Sequence, residues 1–96
     1  MRHLDVGITE RLLRRIRADF GEGADLVVQL LEEVESGNQD RERVIAAVVL
    51  GSRGDLESLF QLVELSSVDW RDVLVGGGLG NADWSGALDE QLGARG

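Results

Sequence analysis

Four arginines fall within seven residues near the start of this chain: Arg11, Arg14, Arg15 and Arg17. A guanidinium is a flat, permanently charged fork that pairs bidentately with a carboxylate or a phosphate. Clustered on one helix face, these four are the foremost candidates for a partner surface, either for an acidic protein or ligand or for nucleic acid. The competing expectation is a solvated face matched by the chain's own acids. Trp84 is the next candidate, because tryptophan is enriched at binding hot spots. It is also a good core filler at a helix start, and the core is the expected place for both Trp70 and Trp84. Trp84 is expected to be the more exposed, since its helix carries Ser85, Gly86, Asp89, Glu90 and Gln91.

Catalytic and metal chemistry find little to use. The one histidine, His3, stands in the lead-in, so a histidine triad or a multi-histidine metal site has no residues to build it. Cysteine is absent, which excludes disulfides, thiolate ligands and cysteine nucleophiles. Asp69 and Asp72 share a helix face, but a hard cation needs about six or more oxygen ligands. A carboxylate pair acting as acid and base would need one of Asp69, Asp72 or Glu64 buried in a cleft. The run from Gly76 to Gly80 lacks both the G-x-G-x-x-G spacing and the Lys-Ser/Thr of a phosphate loop, and it follows a helix. It is expected to be a flexible linker. Arg53-Gly54-Asp55 spells an adhesion tripeptide, but Asp55 is accounted for as a helix cap. No catalytic residue, cofactor or metal is expected, and the chain is not expected to be an enzyme.

Charge is unevenly placed. Net charge is −8; residues 1–20 carry five arginines against three acids, and residues 21–40 carry six acids and no base. An acidic whole weighs against general nucleic-acid affinity, which needs clustered base. Apolar residues make up 43% of 96 residues, enough for one domain with a real core. No apolar run reaches membrane-spanning length and no signal peptide is evident, so a cytoplasmic location without a membrane is expected.

The elements that would hold these residues are all helical. Val44-Ile45-Ala46-Ala47-Val48-Val49-Leu50 is apolar on every face, so a helix over about 40–50 must be enclosed on all sides. Its charged first turn, Asp40 to Arg43, is expected to be the solvated end. Before it, Thr9 caps a helix to about Phe20, whose apolar members Ile8, Leu12, Leu13, Ile16 and Phe20 fall within an arc of about 140°. A second helix is expected over Ala24–Ser36. Its acids Glu32, Glu33 and Glu35 fall where the helix dipole disfavours anions, and the arginines of the first helix are the expected compensation. Asp55 caps a largely buried helix over Leu56–Leu65 carrying Leu56, Leu59, Phe60 and Val63. Two shorter helices, about 68–76 and 82–92, follow an echo: Ser67-Val68-Asp69-Trp70 matches Asn81-Ala82-Asp83-Trp84 fourteen residues on. Ser67 and Asn81 are the expected caps. The fold class is therefore all-α, a compact bundle of five to six short helices around the buried 40–50 helix. It forms one domain over 1–96, frayed at 1–7 and 93–96.

Glu42-Arg43-Val44, Ala46-Ala47-Val48-Val49-Leu50, Gly54-Asp55-Leu56 and Asp69-Trp70-Arg71-Asp72-Val73-Leu74-Val75, with Asp83-Trp84, resemble small bacterial proteins of unknown function. The resemblance runs over roughly residues 16–92. It implies a bacterial origin and a free-standing small protein, and it supplies no site residues. The function expected from the residues is a small non-catalytic helical protein-interaction module of a bacterial cytoplasm. Such a module could pair with itself, basic face to acidic helix. The alternative is a binder of nucleic acid or an acidic ligand through the arginine face of the first helix.

Overall fold

A computed structural model describes residues 7–34, 36–37 and 39–93. Among these the chain is predominantly helical and has no strand. Thr9 stands in extended backbone and its Oγ1 accepts the Leu12 N–H, starting α1 (Glu10–Phe20). Gly21, at φ 53°, ends α1, and a short 3-10 turn leads into α2 (Ala24–Leu31). Leu12, Ile16, Val27 and Leu31 turn inward from these two helices.

α2 stops well short of Ser36. The N–H groups of Glu33 and Val34 donate three residues back, to Leu30 and Leu31, tightening the chain into a turn. Arg41 then takes the carbonyl oxygens of Glu32 and Val34, which a longer helix would have needed for itself. Glu35, one of the acids expected in the last turn of this helix, lies outside the described residues, as do His3 and the end at 94–96.

α3 (Arg41–Ser52) is the enclosed helix. Asp40 caps it by accepting the Arg43 N–H, and every residue from Val44 to Val49 is fully buried. Its first turn departs from the expectation: Glu42 is only 3% exposed. The reason is positional. Glu42 shares a helix face with Ile45, Ala46 and Val49, so whatever covers them covers it too.

α4 (Leu56–Gly76) begins at Asp55, whose side chain accepts from the Ser58 N–H and Oγ–H. It replaces two of the expected helices, so the count of five to six short helices is not matched in that form. The helix geometry breaks inside it at Asp69 (φ −155°, ψ 94°), where the carboxylate accepts the Arg71 N–H. Ser67 does not cap; its hydroxyl donates back to the Glu64 carbonyl. α5 (Trp84–Leu92) starts after Asp83, not Asn81. In both copies the aspartate immediately before the tryptophan precedes the helical turn, but only Asp69 accepts an amide hydrogen bond there; the Asp83 side chain makes no cap bond.

α3 packs most extensively on α4, and the glycine run closes that interface. A Cβ on Gly77 would lie 2.5 Å from the Ala47 backbone, so the chain passes there only as glycine. Leu79 is buried, its N–H donates to the Leu74 carbonyl, and its own carbonyl accepts from Arg43. The stretch expected to be a flexible linker is a packed turn.

Candidate functional site

The four arginines of α1 do not act as one face. Arg11 is 5% exposed and lies inside the fold. Its Nε and Nη2 donate to the two oxygens of Glu42 at 2.9 and 2.8 Å, the bidentate pairing expected of a guanidinium, but with a partner on α3. Its Nη1 reaches Asp89 of α5 and the Gly93 carbonyl at 2.7 Å. Thr9 donates its hydroxyl to Glu42, so the α1 cap and the ion pair are one network. The Glu42 hydrogen bonds raise the Arg11 pKa above its ordinary value, against the opposing effect of burial. Arg11 is thus a clamp joining α1, α3 and α5, enclosed by its own chain.

Arg15 pairs with Asp19 one turn on, at 3.0 Å, and donates to the Gln91 carbonyl. Arg14 and Arg17 alone of the four are exposed. Among the described residues the compensation expected between these arginines and the acids of α2 is not made. Arg11 and Arg15 are taken by Glu42, Asp89 and Asp19, and α2 keeps Glu32 and Glu33 exposed near its negative end.

Among the described residues, two surface grooves combine apolar and charged lining. The first, of about 320 Å³, runs between α2 and α4 and is lined by Leu30, Glu33, Phe60, Val63, Glu64 and Ser67. Beside it on α2, Leu26 is 48% exposed, as is Phe60 within it. Phe60 and Leu56 were expected in the buried stripe of α4. The inward face instead follows Leu59, Val63, Ser66 and Val73, and Phe60, one step of 100° from Leu59, falls on the rim. Glu33 and Glu64 flank the apolar floor, and neither has an ion-pair partner among the described residues.

The second groove, of about 310 Å³, lies between α3, the second half of α4 and the glycine turn. Gln39, Arg43, Trp70, Arg71, Leu74, Val75 and Gly80 line it. The Arg43 guanidinium lies over the Trp84 ring at 4.9 Å, and that of Arg71 over Trp70 at 5.4 Å. Both tryptophans are half-buried and pack on the core, Trp84 through one face with Arg43 across the other.

The acids considered for catalysis are not brought together. Asp69 holds the break in α4, Asp72 is exposed, and Glu64 stands at the other groove. Among the described residues no three acidic or histidine side chains are placed to hold a metal ion, and no helix is long and apolar enough to cross a membrane. Comparison with protein-family models, curated proteins and solved structures finds no match to this chain.

Proposed function

We propose that this chain is a small, non-catalytic helical protein-interaction module working in a bacterial cytoplasm, and that it receives its partner in the α2–α4 groove. The observation that carries the reading is the pairing of an apolar floor (Leu30, Phe60, Val63) with a rim of two carboxylates that form no ion pair among the described residues. A half-exposed phenylalanine beside a half-exposed leucine supplies an aromatic anchor of the kind that dominates binding energy. The partner that fits is an amphipathic helix with apolar side chains at i and i+4 and lysine or arginine on its flanks. The fold's buried polar side chains support a non-catalytic role. Arg11 and Glu42 hold each other, and Ser52 and Ser66 donate to backbone carbonyls within their own helices.

The test is fluorescence anisotropy with a labelled amphipathic helical peptide, made in lysine-flanked and glutamate-flanked versions. The lysine version is expected to bind, with about a tenfold loss for Phe60→Asp. Glu33→Lys with Glu64→Lys is expected to transfer the preference to the glutamate version. Equal binding of the two peptides, or binding indifferent to Phe60, would remove this reading. Light scattering on the same samples shows whether a second copy takes the groove instead, which Phe60→Asp would then disrupt.

A further inference from the structure

The second groove is built differently. Its lining contains two guanidiniums, one indole and two aliphatic side chains, and no carboxylate. Of the nearby acids, Asp40 accepts the Arg43 N–H at 3.1 Å and Asp69 the Arg71 N–H at 3.0 Å, each at a helix start, while Asp72 and Asp83 are exposed outside the lining. In a chain of net charge −8 this is a local cationic patch over an apolar floor.

Arg43 is the more firmly positioned of the two arginines. Arg43 Nε donates to the Leu79 carbonyl at 2.9 Å and Nη1 to Gln39 Oε1 at 2.7 Å, with Trp84 beneath the plane. That fixes the fork and leaves Nη2 without a partner among the described residues. The Arg71 side chain makes no hydrogen bond among the described residues and is held by the Trp70 ring alone. Trp70 is in turn held at its edge. A Cβ on Gly37, which has φ +56°, would sit 3.0 Å from the indole nitrogen, so only a glycine backbone closes over the ring this way. Leu74 and Val75 continue the apolar floor, and Val75 is 73% exposed.

We infer that this groove binds a small aromatic carboxylate: one flat apolar body on Trp70, Leu74 and Val75, with one carboxylate shared by Arg71 and Arg43. The volume suits a compact ligand at the lower end of small-molecule pockets. Arg43 offers its remaining Nη2 and the exposed Arg71 its whole guanidinium to a carboxylate, and the apolar floor adds contact that a bare anion would not make. The inference is independent of the α2–α4 groove, which shares none of these residues.

Trp70 and Trp84 are the only tryptophans, so intrinsic fluorescence reports on this groove directly. The probe is 1-naphthoate, titrated by fluorescence and by calorimetry, with 1-naphthamide as its uncharged counterpart. Saturable binding of the naphthoate is expected, about tenfold weaker for the amide. Arg71→Ala is expected to reduce naphthoate affinity by a similar factor, and Arg71→Lys by less, since charge remains and the fork is lost. Arg17→Ala, an exposed arginine on α1, is expected to change nothing. Failure of naphthoate to saturate at millimolar concentration would overturn the inference. Equal binding of acid and amide, or equal binding by Arg71→Ala and the parent with an unchanged melt, would do the same.

Discussion

Arg11 and Arg71 carry the same side chain and meet opposite fates. Arg11 lies within the junction of α1, α3 and α5, where Glu42 takes two of its donors and Asp89 and Gly93 a third. Arg71 lies on the outside of α4 and is met only by the face of an indole. What separates them is not intrinsic chemistry but whether the fold delivers a carboxylate. A buried guanidinium without one would carry a desolvation penalty of several kcal/mol, so the position survives only because Glu42 arrives with it. A surface guanidinium needs no such partner, and its stacking contributes about 0.5–1 kcal/mol. The first becomes architecture and the second remains available to a ligand.

The harshest way to probe that contrast is to bury a charge with no counterpart. Val48 lies on the same helix as Glu42 and is fully enclosed. Val48→Asp would place a carboxylate there with no arginine in reach, and the variant is expected not to fold. Circular dichroism should show loss of the cooperative melt. A helical variant that still melts cooperatively would mean the centre of α3 tolerates charge, and the special status given to Glu42 would vanish.

Removing one member of the existing pair should come next in size. Arg11→Ala leaves Glu42 buried and unpaired, at an expected cost of about 3–5 kcal/mol in urea denaturation. Asp89 is 53% exposed, so Asp89→Asn should cost about 1 kcal/mol or less. Arg71→Ala, by the same measurement, should fall within about 0.5 kcal/mol of the parent. If Arg11→Ala and Arg71→Ala proved equally mild, the division between clamp and surface cation would be wrong.

The sequence showed one half of this contrast more readily than the other. The apolar run of Val44–Leu50 announced a helix enclosed on all sides; Val44 to Val49 are fully buried and Leu50 is half-buried. Capping chemistry marked Thr9 and Asp55 as helix starts, and each side chain accepts the amide hydrogen bond expected. Arg11, by contrast, reads as one more member of an arginine face, because the residue that draws it inward is thirty-one positions away. A signal was present in Glu42, which shares the face of Ile45, Ala46 and Val49 and could not be solvated if they were enclosed. Tertiary pairing also set the end of α2, where Arg41 takes its carbonyls, and the pose of Phe60, where one helical step separates floor from rim. The Arg43–Trp84 and Arg71–Trp70 stacks were not foreseen at all. The first of them is tied to the glycine turn folding back on α3, where Arg43 takes the Leu79 carbonyl, and that stretch looked like a slack linker until Leu79 and Gly77 proved to be packed.

The smallest expected effect concerns a surface carboxylate that, unlike Glu42, has no cation at all. Asp55 caps α4, and its pKa is held below the ordinary aspartate value first by the Ser58 hydroxyl and then by the Ser58 amide. The sign follows from where the proton binds more tightly. The unfolded chain takes it up at the ordinary value, about 3.9, and the folded chain only at lower pH. The cap's contribution is therefore complete above that ordinary value and fades as pH falls through the folded one. Asp55→Asn keeps an acceptor for the Ser58 amide but has nothing to protonate, so its cap is insensitive to acid. The melting temperatures of parent and variant should differ by a constant amount from neutral pH down to about 5, and that difference should move in the variant's favour below about 4. A difference that stays fixed through acid would show that the charge on Asp55 adds nothing to the hydrogen bonds it accepts.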